Sequence, residues 1–171
     1  YPLISLRLLT IIFLTSTTLL ACYPERVESI KLMNEGIKKH NSGRSTAAVR
    51  LLARSAETDP SNHRALYYRG LILNDLGRTE EREDRFEDAV RSLEASLKIN
   101  QEDPKVFYQL GVALAELKRD EQALRAFSDA QSIAPHGQAA YRSALIHLEK
   151  EQYNSAQEIL RAAIIAEPEL G

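Results

Sequence analysis

Small residues and prolines recur at fixed intervals through most of the chain. Gly36 is followed after 12 residues by Ala48, and after 12 more by Pro60. A spacing repeated along a chain in this way is typical of proteins that stack one small structural unit several times. The same spacing connects two further sets, Gly111, Ala123 and Pro135, and then Ala144, Ala156 and Pro168.

The second repeat carries an insertion. Gly70 lies 34 residues after Gly36, but Ala89 follows it only after 19 residues and Gln101 after a further 12. Seven extra residues therefore fall between the two positions, in or near the charged run 78–85. Because seven residues make two helical turns, we predict that they lengthen the helices or the loop of this repeat without changing which side of each helix faces its neighbours. We favour this interpretation over a docking site.

Large and small side chains follow the alanines in step. A large apolar residue stands four positions after each alanine, and a small residue stands seven after it. A glycine or alanine allows two helices to cross closely, and the large side chain fills the space beside the crossing. A proline then ends the second helix, and no segment shows the two-residue alternation of a strand. The large apolar residues are Leu52, Leu93, Phe127 and Leu160, and the small residues are Ser55, Ser96, Ala130 and Ala163.

This pattern resembles the tetratricopeptide repeat (TPR) family, most clearly over Phe107, Leu110, Gly111, Leu114, Ala123, Phe127, Ala130 and Pro135. The resemblance covers 29–62, 63–103, 104–136 and 137–170, and so implies one TPR domain over 29–170. It implies an all-α fold, a right-handed α-solenoid of about four helix-turn-helix repeats. The chain departs from the family in having no tryptophan at the usual aromatic place of the first helix.

Residues 1–21 have the pattern of an export signal. Arg7 precedes an uncharged apolar stretch that is shorter than the roughly 20 residues of a membrane-spanning helix. The stretch ends in Leu19-Leu20-Ala21-Cys22, which resembles the lipobox of bacterial lipoproteins. That resemblance implies a thioether-linked diacylglycerol on the Cys22 thiol, cleavage before Cys22, and a third acyl chain such as palmitate on the new amino terminus. Residues 22–28 are then a linker. The alternatives are an ordinary signal peptide or an uncleaved anchor.

The lipobox resemblance also indicates a location. Two or more acyl chains anchor a protein stably in a lipid bilayer. Tyr23, rather than an aspartate, follows Cys22, which favours the outer membrane of a double-membraned bacterium. We therefore expect a membrane lipoprotein of the cell envelope, exposed on the periplasmic face.

The TPR resemblance implies a concave groove, lined by the first helix of each repeat, that binds a helix or an extended peptide of a partner protein. Tyrosines suit such a groove, because the ring is apolar and the hydroxyl needs a polar partner. The alternative is that the same side chains simply pack between helices. One candidate row is Met33, Tyr67, Tyr108 and Tyr141, and its neighbour is Ile37, Leu71, Val112 and Leu145.

A carboxylate clamp is not expected in this groove. Chaperone-type TPRs hold a C-terminal carboxylate with lysine, asparagine and arginine at fixed groove positions. Here Lys105 stands at one such position, and the others hold Met33, Ile37, Tyr68 and Gln109.

Other kinds of site receive no support. The net charge is −2 and basic residues do not cluster, so we expect no nucleic-acid partner. The sequence has no metal-ligand spacing, phosphate loop or nucleophile motif, so we expect no metal, no cofactor and no enzymatic activity. The four histidines, which fall in separate segments, are His40, His63, His136 and His147.

These features predict a membrane-anchored scaffold for protein–protein interaction in the bacterial envelope. Small TPR lipoproteins include pilotins, which assemble the secretins of type IV pili or secretion systems, and adaptors for peptidoglycan hydrolases. A third alternative is the TPR portion of a longer enzyme. The last repeat should leave apolar side chains partly exposed, so that either further chain or a partner covers Ile159, Leu160, Ile164 and Ile165.

Overall fold

The computed structural model describes residues 24–166, which form eight α-helices and contain no strand. Within this range no helix combines the length and the apolar character needed to cross a bilayer. The helices are α1 over 24–41, α2 over Ser45–Thr58, α3 over His63–Glu80, α4 over Glu83–Ile99, α5 over Pro104–Glu116, α6 over Asp120–Ile133, α7 over Gly137–Glu149 and α8 over Tyr153–Ala166.

The helices pack in sequence order. From α2 onward each helix contacts the next, and the most extensive contacts lie within the pairs α3–α4, α5–α6 and α7–α8. Because the turns between them are short, consecutive helices lie beside each other as antiparallel hairpins. Because each hairpin also packs on its neighbours, the predicted all-α solenoid is confirmed.

A missing side chain sets the distance between the helices of a hairpin. A Cβ added to Gly111 would lie 2.5 Å from Cε1 of Phe127, and one added to Gly70 would lie 2.5 Å from Cγ of Leu93. The corresponding distance at Gly36 is 3.0 Å, to Cγ of Leu52. The large apolar residues at these crossings are fully buried, so glycine and its large partner form one packing unit, as the spacing predicts.

The inserted residues lengthen the second hairpin. α3 has 18 residues and α4 has 17, whereas α5 and α7 have 13 each and α6 has 14. A second close crossing stabilises the extension, because a Cβ on Gly77 would lie 2.7 Å from the ring of Phe86. The insertion therefore acts as the sequence predicts, by adding turns to both helices.

Prolines mark the junctions between hairpins. α2 ends at Thr58, two residues before Pro60, and α6 ends at Ile133, two residues before Pro135. Pro104 takes the first position of α5, where its missing N–H costs nothing. Pro168 lies outside the described residues.

A buried polar cluster joins the first two hairpins. The Ser29 hydroxyl donates to the Ser55 carbonyl at 2.8 Å, and the Ser55 hydroxyl donates to the Ser29 carbonyl at 2.7 Å. The Asn62 amide donates to Ser29 Oγ at 2.9 Å, while its Oδ1 accepts from the backbone N–H of Ala65 and caps α3. Both serines are fully buried, so this cluster fixes how α3 starts against α1 and α2.

Gly111→Leu should lower the free energy of unfolding by about 1–3 kcal/mol, because the new side chain overlaps the ring of Phe127. Urea unfolding followed by circular dichroism measures the change. Ser128→Leu, an exposed position in the facing helix, serves as the control and should stay within about 0.5 kcal/mol of the parent. An unchanged midpoint for Gly111→Leu would contradict the crossing.

Candidate partner-binding face

The first helices of the hairpins gather on one side of the molecule. α3 contacts α5, and α5 contacts α7, although a second helix separates each pair in sequence. In the part of the chain that the structure describes, α4, α6 and α8 make no contact of similar extent with one another. The first helices therefore lie together on one side of the stack, which we call the inner side and where the groove is predicted.

Tyr108 of α5 packs against the beginning of the next hairpin. Its ring stacks on the His136 imidazole, with 4.7 Å between centroids and 24° between planes. It also lies 6.0 Å from the ring of Phe127 in a tilted arrangement. Part of the Tyr108 ring is therefore packed within its own repeat and against the next one.

Tyr67 of α3 has similar surroundings one repeat earlier. Its ring lies 5.1 Å from that of Tyr68, and it packs against the main hydrophobic core. Burial raises the pKa of the Tyr67 phenol, and the nearby carboxylate of Asp103 raises it further. The phenol therefore stays protonated and can donate a hydrogen bond at any physiological pH.

The neighbours of this row are the residues that cap the following first helix. Asp103 accepts a hydrogen bond from the Lys105 N–H at 3.0 Å and caps α5, and His136 Nδ1 accepts from the Ala139 N–H at 3.3 Å and caps α7. Met33 shares a cavity with Asn62, the cap of α3. Met33, Tyr67 and Tyr108 thus lie near the cap of the following first helix, an arrangement that the sequence did not predict.

Tyr141 is the member of the row whose surroundings differ. It occupies the same place in α7, but it is 57 % exposed, whereas Tyr67 and Tyr108 are partly buried. No helix follows α8 within the described residues, so Tyr141 has no cap beside it there.

The remaining candidate residues divide between core and surface. Met33 is 4 % exposed and Val112 is 2 % exposed, so both belong to the core and offer a partner almost no surface. Ile37 and Leu71 are partly buried against the core of the first two repeats, and Leu145 is also partly buried.

Asn74 is a polar residue that sequence analysis missed. It is fully buried in α3, and its amide donates to the carbonyl of Gln109 at 3.0 Å and to the Gln109 Oε1 at 3.1 Å. Because these bonds connect two first helices, they fix the spacing of α3 and α5 on the inner side. The sequence signal for this role is an asparagine that stands among apolar residues of a predicted helix.

A cavity of about 330 Å³ opens at the N-terminal end of this side, between the start of α1 and the start of α3. Met33 and Ile30 supply its apolar wall, and Arg26, Arg64 and Asp59 supply charge. Its mixed lining suits the polar edge of a protein interface.

The histidines do not come together. His40 faces Ser45 at 3.0 Å and Asp75 at 3.7 Å, His147 faces Gln152 at 2.6 Å, and His136 caps α7. Among residues 24–166 no group of three or more acidic, histidine or cysteine side chains could hold a metal ion. Cys22, the predicted lipidation site, lies outside the described residues.

Models of the tetratricopeptide repeat match residues 41–81, 74–138 and 137–169. Together these matches span well over half of the chain. No curated protein matches the chain.

Several solved structures have a similar fold. One crystal structure of MamA superposes with a TM-score of 0.73 and 22% identity, over 82% of this chain and 74% of that one. MamA from Desulfovibrio magneticus RS-1 gives a TM-score of 0.72 and 20% identity, over 83% and 77%. The first TPR of Spaghetti (RPAP3), bound to an HSP90 peptide, gives a TM-score of 0.65 and 18% identity, over 72% of this chain and 94% of that one.

Tyr108→Ala should lower the free energy of unfolding by about 1–3 kcal/mol, because the ring packs on Phe127 and His136. Tyr141→Ala is the matched control and should change it by less than about 0.5 kcal/mol, since Tyr141 is mostly exposed. Chemical denaturation of both variants measures the difference. Equal effects would show that the row has no role in joining repeats.

Proposed function

Because the chain belongs to the tetratricopeptide-repeat family, we propose that it is a scaffold that binds a partner protein along the face formed by its first helices. The observation that carries this proposal is the line of partly accessible tyrosines, Tyr67, Tyr108 and Tyr141, on α3, α5 and α7. Aromatic rings with accessible hydroxyls provide large contact area and can orient a bound segment.

The partner segment is held by apolar and phenol contacts rather than by its C-terminal carboxylate. The first TPR of Spaghetti (RPAP3) binds the HSP90 peptide SRMEEVD, and a similar structure, the second TPR domain of human RPAP3, is in complex with the HSP70 peptide SGPTIEEVD. At the clamp positions of this chain, Lys105 is a cation, but Tyr68 packs on Tyr67 and Gln109 is bonded to Asn74. This arrangement favours a helix or an extended internal segment as the occupant.

The proposed setting is the periplasmic face of the bacterial outer membrane, with Cys22 as the acylated anchor. The lipobox resemblance of Leu19–Cys22 supports this part of the proposal. Within that setting we favour a pilotin-like role, in which the scaffold assembles the secretin of a type IV pilus or secretion system. An adaptor for peptidoglycan hydrolases would use the same anchor and the same face.

Cys22→Ser should abolish acylation, because the hydroxyl does not replace the thiol as acceptor of the lipid. Metabolic labelling with palmitate followed by membrane fractionation measures this loss. Tyr23→Ser, one residue further on, is the control and should remain labelled. Incorporation of label into the Cys22→Ser chain would contradict the proposed anchor, since the chain has no second cysteine.

A photoreactive phenylalanine derivative at Lys105 should capture the partner in the native cell. Lys105 is exposed and lies one turn before Tyr108 on the same helix face, so the probe disturbs no packing. Mass spectrometry of the adduct then identifies the protein. A secretin or pilus subunit supports the pilotin role, and a cell-wall hydrolase supports the adaptor role.

The control is the same probe at Arg125, an exposed position on the second helix of that hairpin. We expect an adduct at Lys105 and none at Arg125. If neither position gives an adduct, or if both give the same one, binding along the first helices is wrong.

A further inference from the structure

Charged residues of opposite sign stand on either side of two tyrosines of the row. In α3 and α5 a cation stands three positions before the tyrosine, and a carboxylate stands eight positions after it. Residues at such intervals share one face of a helix, so each tyrosine lies between a positive and a negative side chain. These sets are Arg64, Tyr67 and Asp75 in α3, and Lys105, Tyr108 and Glu116 in α5.

The charges line up across neighbouring repeats. The first helices run in the same direction, because an antiparallel helix separates each one from the next. Equal positions of α3, α5 and α7 therefore lie side by side, and α7 keeps the negative position but has Gln138 at the positive one. The cationic edge is Arg64 and Lys105, and the acidic edge is Asp75, Glu116 and Glu149.

Both edges oppose the helix dipole. An α-helix is stabilised by anions in its first turn and by cations in its last turn, and α4 and α6 follow this rule with two acidic residues in the first turn. Arg64 and Lys105, however, lie in the first turns of α3 and α5. Glu116 and Glu149 are the last residues of α5 and α7. Because these placements reduce helix stability, they indicate a surface that serves binding.

Most of these charges are available to a ligand. Among residues 24–166, Arg64, Lys105 and Glu116 form no ion pair. Arg64 and Lys105 are also exposed to solvent. Asp75 and Glu149 each contact a cation of this chain, but in solvent-exposed pairs of the kind that contribute little to stability.

The distance between the two edges fits a helix. Arg64 and Asp75 are 11 positions apart, as are Lys105 and Glu116, so about 16 Å of helix axis separates the edges. A helix with its side chains is about 10–12 Å wide, so its charged side chains reach both edges while an apolar stripe rests on the tyrosines. An extended segment points successive side chains to opposite sides, so it does not face the tyrosines and both edges at once.

On the basis of the proposed partner binding, we propose that the occupant of the inner side is an amphipathic helix of the partner that lies across α3, α5 and α7. Acidic residues border its apolar stripe on one side and basic residues on the other, so the two edges fix the direction in which it lies. Helices in contact are about 8–10 Å apart, and seven helical residues advance about 10 Å. Apolar residues about seven positions apart therefore meet successive tyrosines.

The segments before and after the described residues do not have this charge pattern. Residues 1–23 contain a single charged side chain, Arg7, and residues 167–171 contain two carboxylates and no cation. Neither segment supplies acidic residues for one edge together with basic residues for the other. Charge complementarity therefore assigns the helix to a partner protein.

The test compares three stapled helical peptides of about 18 residues, long enough to cross three first helices. All three carry the same apolar stripe. The mixed peptide has glutamates along one border of the stripe and lysines along the other, and the remaining two have lysines or glutamates along both borders. Fluorescence anisotropy measures their binding to the full chain in phosphatidylcholine nanodiscs. We expect the mixed peptide to bind at least tenfold more tightly than the others, because it alone is complementary to both edges.

Reversing the cationic edge should change this order. Arg64→Glu combined with Lys105→Glu makes both edges acidic, so the peptide with lysines along both borders should become the tightest ligand by at least tenfold. Arg50→Glu combined with Arg125→Glu changes the net charge equally at exposed positions of α2 and α6. This matched control should leave the order of the three peptides unchanged, and circular dichroism confirms that each variant retains its helices.

Equal affinities of the three peptides, or an unchanged order in the variant with the reversed edge, would overturn the charged borders while leaving partner binding along this side in place. Failure of all three peptides to bind would also overturn them, and the adduct from the probe at Lys105 then tests the proposed function independently. A dimer of the chain that dissociates when the edge is reversed would assign the helix to a second copy and overturn its assignment to a partner.

Discussion

At three of the four helix hairpins, a glycine lies directly against a large apolar side chain of the facing helix, and the rest of the structure depends on this contact. A Cβ at Gly70 or Gly111 would approach Leu93 or Phe127 to about 2.5 Å, well inside van der Waals contact. The short distance holds the two helices of each of these hairpins close together. Neighbouring hairpins stack so that their first helices lie on one side, where α3 contacts α5 and α5 contacts α7.

The contacts between hairpins explain how one side of the stack can both join the repeats and serve the proposed partner binding. The rings of Tyr67 and Tyr108 lie next to the residues that cap the following helix, so one edge of each ring stabilises the stack while another stays accessible. A tyrosine suits this position because its apolar ring can pack while its hydroxyl stays hydrated or hydrogen-bonded. A partner bound along this side therefore contacts side chains that are already held in place, which reduces the entropy lost on binding.

Much of the fold could be predicted from sequence because its determinants are local and repeated. The spacing from Gly36 to Pro60 identifies two helices, their crossing and their end, and the seven-residue insertion predicts the longer α3 and α4. Contacts between repeats were harder to predict, since they join residues about 30 apart without any fixed motif. The stacking of Tyr108 on His136, the burial of Met33 and Val112, and the bond from Asn74 to Gln109 belong to this class.

The uneven burial of the two ends has a consequence for motion. In a stack where each unit touches only its neighbours, local opening begins at the unit with the fewest buried groups. α8 contributes Ala156 alone to the buried interior of its described range, whereas the opposite end is fixed by the hydrogen bonds between Ser29 and Ser55. Amide hydrogens of α8 should therefore exchange with solvent faster than those of α3 to α6, which makes the hairpin of α7 and α8 the most adaptable part of residues 24–166.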